Sequence, residues 1–215
     1  MHIRLFGFLL LFFSPGAAIA SDIMFEGYYR IELEGKPIGY IIERFAFDPK
    51  AKIFEAISFQ YINAGDKVIQ ESIKETANDK LHPLAFQYTS QVGEKIKMID
   101  GSFKADIMTL KINDGKTLKT EVYKNPKGTF LSTLLPYKLL QEKLQVNNTA
   151  LSYSAVAEED GGSYNGKVLL KKKEAKAGFD LFSLQNKFKG EEFSATFAAV
   201  RDAQTPGKYI RAEIF

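Results

Sequence analysis

From Phe25 to Leu33 the side chains alternate. Phe25, Gly27, Tyr29, Ile31 and Leu33 fall on one face, and Glu26, Tyr28, Arg30, Glu32 and Glu34 fall on the other. A period of two with one apolar face predicts a half-buried antiparallel strand. Glu34-Gly35-Lys36-Pro37 then turns the chain. Pro37 has no N–H to give to a tight hairpin pair, so a four-residue loop is expected. The return strand, Ile38 to Phe47, is apolar on both faces, with Ile38, Tyr40 and Ile42 opposing Ile41, Phe45 and Phe47. A second layer is therefore expected to cover it.

The same rhythm continues downstream. Asp48-Pro49 separates this strand from Ile53–Asn63, and Ala64-Gly65-Asp66 leads into Val68–Thr76. Leu84, Phe86, Tyr88, Ser90 and Val92 alternate, Ile96–Phe103 follows Gly93-Glu94, and Met108, Leu110 and Ile112 share a face. Asn113-Asp114-Gly115-Lys116 predicts a hairpin with Asp-Gly in a type I′ turn, returning through Leu118, Thr120 and Val122. Short turns between evenly spaced strands indicate an antiparallel meander. Further strand patterns run over 150–157, 167–176, 179–188, 193–201 and 208–215, and the polar run Glu158–Asn165 reads as a long hairpin loop.

One segment departs from period two. In "GTFLSTLLPYKLLQEKL", Phe130, Leu131, Leu134, Leu135, Leu139, Leu140 and Leu144 recur at helical spacing, with Pro136 setting a boundary. One short helix is predicted, starting near Pro136 and preceded by a helical turn or loop. The expected fold is all-β with that single helix: a strongly curved antiparallel sheet, a half-barrel or incomplete barrel, packed around 129–144.

Composition narrows the chemistry. Arg4, the apolar run Leu5–Phe13, the break Ser14-Pro15-Gly16 and Ala18-Ile19-Ala20 predict a signal peptide over 1–20 cleaved after Ala20. Nine apolar residues are too few to cross a bilayer, which takes about 20. Residues 21–215 are then expected to form a single domain in the periplasm or, as the alternative, outside the cell. Loss of Arg4 takes the net charge from +3 to +2, a balance that suggests no nucleic-acid partner. The chain has no cysteine, and His82 is the one histidine beyond residue 20. Cys-His catalysis and Cys/His zinc sites are thereby excluded, and no cofactor is called for.

The remaining clusters read as follows. His82, before Pro83 in "NDKLHP", reads as an exposed turn residue. Phe215 at the end of a strand resembles the close of an outer-membrane barrel, but Arg211 and Glu213 would share its lipid face at a cost of roughly 2–4 kcal/mol for the basic residue at the midplane. Lys171-Lys172-Lys173 reads as a lysine-guarded strand edge. Glu158-Glu159-Asp160 lacks the ligand spacing of an EF-hand, and Asn147-Asn148-Thr149 matches a glycosylation sequon. A carboxylate pair for hydrolysis cannot be picked out, because the separation of two carboxyls is a property of the fold.

The stretch "LEGKPIGY" with Gly35 and Gly39, then "HPLAFQY" and "STLLPYKLL", resembles a group of exported bacterial β-domains over Phe25–Leu140. The first hairpin is also similar to the β-domain that precedes some bacterial transglutaminase-like domains, whose catalytic cysteine has no counterpart here. The resemblance implies an architecture similar to the half-barrels of lipoprotein carriers, although only one helix is evident. Non-catalytic binding is the leading expectation. Tyr40, Ile42, Phe130, Leu131, Leu134, Leu135 and Leu139 are the candidate contacts to a lipid or other hydrophobic ligand beneath a helical lid. Pairing of a sheet edge with an envelope protein is the alternative.

Overall fold

A computed structural model describes residues 22–65, 67–142, 150–204 and 209–214, without the side chains of 64, 172, 173 and 209–214. The predicted signal peptide, Leu144, the sequon at 147–149 and Phe215 lie outside the described residues. The first sheet is a meander of eight antiparallel strands in sequence order: β1 (Asp22–Leu33), β2 (Lys36–Asp48), β3 (Ile53–Ala64), β4 (Lys67–Asn78), β5 (Pro83–Val92), β6 (Lys95–Lys104), β7 (Ile107–Asn113) and β8 (Leu118–Lys124). A two-residue strand, β9 (Phe130–Leu131), a 3₁₀ turn (Ser132–Leu134) and the helix α1 (Leu135–Gln141) follow. The second sheet is completed by β10 (Leu151–Ala157), β11 (Gly162–Lys176), β12 (Phe179–Phe188), β13 (Glu191–Arg201) and β14 (Tyr209–Ile214). Its spatial order is β14-β13-β12-β11-β10-β9, with β9 parallel to β10 and every other pairing antiparallel.

The fold is therefore mostly β with one short helix. Its strands form two antiparallel sheets and no closed barrel. The sheets share a single buried cluster. Phe25, Phe45, Phe86, Tyr88, Ile99 and Leu110 come from the first, and Val168, Leu170, Phe182, Leu184 and Phe197 from the second. The β9–α1 segment fills the space between, because its helical period presents Leu134, Leu135 and Leu139 to the core. Pro136 sits in the first turn of α1, where its missing N–H has no intrahelical partner to lose.

Three turns differ from the sequence expectation. Leu33 pairs with Lys36, so the first hairpin closes on two residues, Glu34 at φ 52° and Gly35 at φ 75°, the conformation of a type I′ turn. Pro37 is accommodated because it opposes Glu32 at a position where no hydrogen bond is exchanged, and β3 begins to pair only at Gly39. A bulge between Ile31 and Glu32 absorbs the shift. At the second turn, Asn113 pairs with Leu118 across a four-residue loop, 114–117, in which the Asp114 carboxylate accepts from the N–H groups of Lys116 (2.9 Å) and Thr117 (2.7 Å). That side-chain capping competes successfully with the type I′ turn that Asp-Gly suggests. The third, the expected long loop over 158–165, is a four-residue turn, because Ala157 already pairs with Gly162.

The outer face of β2 carries no second layer among the described residues. Tyr40 and Ile42 lie there beside Tyr28, Phe59 and Tyr61, with the Tyr40 and Tyr61 rings stacked at 5.6 Å. Tyr28 and Tyr40 are exposed, and the rim is charged, with Arg44 held to Glu26 at 2.5 Å. Lys171 is exposed in the half of β11 that has no β10 partner among the described residues. His82 is exposed in the turn between β4 and β5.

Candidate functional site

Two features stand out between the sheets, and both are built on carboxyl groups. The first is a cleft of about 320 Å³. Phe25 and Tyr29 of β1 and Phe45 of β2 form one wall, and Tyr153 of β10, Phe188 of β12 and Phe193 of β13 form the other. Leu135 and Pro136 at the start of α1 close a third side with Ser132 and Thr133. Such an aromatic lining is what a site for an apolar small molecule requires, with a few polar groups to orient it.

Beside the Ser132, Thr133 and tyrosine hydroxyls, the polar groups of the cleft are Glu43 and Asn186. Asn186 is buried, and its Oδ1 accepts a 2.8 Å hydrogen bond from the Tyr153 hydroxyl. Glu43 is in phase with Ile41, Phe45 and Phe47 on the inner face of β2. Its cross-strand neighbour is Gly27, where a Cβ would collide with the Phe25 ring and the Tyr29 hydroxyl, so those two side chains occupy the space beside the carboxyl. Burial raises the pKa of Glu43, and no hydrogen bond or ion pair among the described residues engages it.

The second feature is sealed. Glu75 of β4 and Glu158 of the β10–β11 turn are each 1% exposed. The Thr133 hydroxyl donates to Oε1 of Glu75, and Ser132 Oγ donates to Oε2 of Glu158 at 2.7 Å. The other two oxygens, Oε2 of Glu75 and Oε1 of Glu158, find no donor among the described residues, while the two carboxyls lie close enough to interact. Two carboxylate oxygens both accept, so this contact requires a proton. Burial raises the pKa of Glu75 well above the glutamate value of 4.5, and the Glu158 charge adds to it. Burial likewise raises Glu158, against the lowering effect of the Ser132 hydrogen bond. Raised values on both sides suit a proton shared between them, at the junction of β4, the 3₁₀ turn and the second sheet.

The acidic run of the β10–β11 turn diverges. Glu158 turns inward, whereas Glu159 and Asp160 bind Lys189, the latter at 2.7 Å. Tyr164 donates a further 2.9 Å bond to Asp160. Among the described residues no group of three or more acidic or histidine side chains is placed to hold a metal.

Of the seven residues singled out from sequence, Phe130, Leu131, Leu134, Leu135 and Leu139 gather in the buried core, each at most 5% exposed. Leu135 alone of them lines the cleft. Tyr40 and Ile42 lie on the opposite, outer face of the first sheet and do not join them. Glu43, Glu75 and Glu158 escaped the sequence reading. A signal for two of them exists: Glu43 and Glu75 are charged residues in register with the apolar face of their strands.

A larger groove of about 790 Å³ runs past Lys127, Lys138, Lys167 and Lys187, with Tyr153 also in its lining. It is more open than the cleft, and two of its lysines are already paired, Lys138 with Glu142 and Lys187 with Glu192, each at 2.9 Å. Size alone therefore does not favour it. Comparison of the chain with protein-family models, with curated proteins and with solved structures finds no match.

Proposed function

We propose that the protein is a non-catalytic binding protein of the bacterial periplasm that holds a small ligand with a hydrophobic body in the cleft between its sheets. The observation that carries this reading is the convergence of six aromatic rings from both sheets on the start of α1. At about 320 Å³ the cleft lies at the small end of ligand sites. In this reading α1 is a fixed wall more than a moving lid, since Leu134 and Leu139 are core. The half-barrel element of the proposal is supported by the position of α1, which begins beside β9 at one edge of the second sheet and lies against β14 at the other. Export rests on the signal-peptide pattern of residues 1–20.

Native mass spectrometry on protein purified from periplasm without detergent, followed by solvent extraction, tests the reading together with titration by the apolar fluorophore N-phenyl-1-naphthylamine. A one-to-one adduct or a saturable fluorescence rise is expected, weakened in Phe193→Ala, a change at an exposed site that the fold tolerates. A clean apo mass with no saturable signal overturns it.

Two other readings have one supporting observation each. The outer edge of β8 has no partner strand among the described residues, which suits an envelope protein adding a strand. Lys119 and Lys124 on that strand, however, are the kind of residue that protects an edge. The carboxyl pair would suit acid–base hydrolysis, but both groups are sealed from any substrate.

A further inference from the structure

The cleft contains a carboxyl group that the described residues leave without a counterpart. Glu43 is flanked by the Phe25 and Phe45 rings and by Tyr29, and among the described residues no cation reaches it. Arg44, next in the chain, is turned to the outer face by the alternation of the strand and is already bound to Glu26 at 2.5 Å. The remaining polar groups of the lining are neutral: hydroxyls of Ser132, Thr133 and the tyrosines, and Asn186, whose Oδ1 is engaged by Tyr153. An acid half-buried among rings is costly when ionised and empty, and the same arrangement is favourable around a cation. The ring faces carry negative potential, and the carboxylate supplies the compensating charge at one point. An anionic head group would meet Glu43 as a like charge, and a neutral alcohol would gain one hydrogen bond without the ion pair.

We infer that the cleft selects organic cations, an alkyl- or arylammonium with its charged head against Glu43 and its hydrocarbon body between the aromatic walls. This inference rests on the cleft being a ligand site and names the class of ligand that the site takes. The second sheet contributes its side of the enclosure: Phe188 and Phe193 supply apolar contact, and Tyr153 stacks on Phe188 at 5.9 Å. Selectivity lies on the β2 side, where the one ionisable carboxyl of the lining stands.

The test uses three probes with the same body, n-octylammonium, n-octanol and n-octanoate, titrated calorimetrically into wild-type protein and Glu43→Gln at neutral pH. Circular dichroism confirms that the variant is folded. Octylammonium is expected to bind at least about tenfold more tightly than octanol, the scale of a partly desolvated charge pair with ring contacts. In Glu43→Gln that preference should shrink to within about twofold, because the ammonium loses its ion pair while both probes keep their hydrocarbon contacts. Equal binding of all three probes, or tighter binding of octanoate, overturns the cation inference and leaves the cleft as a ligand site. Binding of none of them, with the fluorophore also silent, overturns both.

Discussion

Glu75 and Glu43 both project from the first sheet toward the second, and burial raises the pKa of each. Their surroundings nevertheless differ in kind. Glu75 meets a hydroxyl and a second carboxyl, so that its two oxygens are engaged once a proton is shared, and it is closed off from solvent. Glu43 meets rings and a cleft. The contrast separates two uses of a buried acid. Where protein groups complete its bonds, the acid joins structural elements; where they do not and a cavity adjoins it, something from outside can complete them.

The comparison breaks most sharply at Glu75. In Glu75→Ala, the Glu158 carboxyl loses the partner with which it shares a proton, and the Thr133 hydroxyl loses its acceptor. Stability should fall by about 1–3 kcal/mol, the scale of a buried polar group left without its partner. Glu75→Gln keeps the shape, accepts from Thr133 and donates to Glu158, and should be tolerated at neutral pH. Denaturant melts of the two variants check this, and equal losses in both would show that the shared proton is not what joins the elements.

The pH dependence of stability sharpens the same point. In the folded state both acids of the pair hold protons more tightly than in the unfolded chain, where glutamate has its ordinary value near 4.5. The folded state therefore binds more protons over the window from about 4.5 up to the raised values. Stability must fall as pH rises through that window and level off above it, at a slope of at most about 1.4 kcal/mol per pH unit for each proton. The groups facing the pair, Ser132 and Thr133, do not titrate in this range, and Glu159 adds a nearby negative charge that favours the proton. Glu75→Gln should reduce the slope in urea midpoints measured from pH 4 to 8, leaving the part that Glu158 and Glu43 contribute. Thr133→Val, which leaves Oε1 of Glu75 without its donor, should cost a further about 1–2 kcal/mol without abolishing the slope.

Much of this architecture is legible in the alternation of side chains. The first strand, the meander and the short helix at Pro136 all follow from periods that can be counted, because each depends on neighbours in the chain. The turns are less legible. At Pro37 the missing N–H matters only if that position donates, and the register that excuses it is set by β3. Glu158 was hidden for a different reason: in "EEDGGSYN" it looks like one more solvated acid, and only the approach of β4 and the 3₁₀ turn makes it a core group. The cleft could not be read at all, since its walls come from five separate strands and the helix. Yet Glu43 and Glu75 carry a mark. Each interrupts an apolar stripe in phase, which is where a buried polar function must announce itself.

The smallest expected effect has the opposite sign. Glu43→Leu replaces a carboxyl that burial disfavours with an apolar side chain of similar reach, in a pocket of aromatic rings. No hydrogen bond is lost, because none among the described residues engages Glu43. At neutral pH the variant should be more stable than the wild type by about 1 kcal/mol, as a partly buried, unpaired acid is relieved. At pH 4 the gain should shrink, since the protonated carboxyl costs less to bury. The same variant should lose its preference for ammonium ligands. A residue whose removal strengthens the fold and weakens one class of binding is held in place by something other than stability. Were Glu43→Leu to destabilise the protein as Glu75→Ala does, Glu43 would belong with the sealed pair, and the contrast between the two acids would collapse.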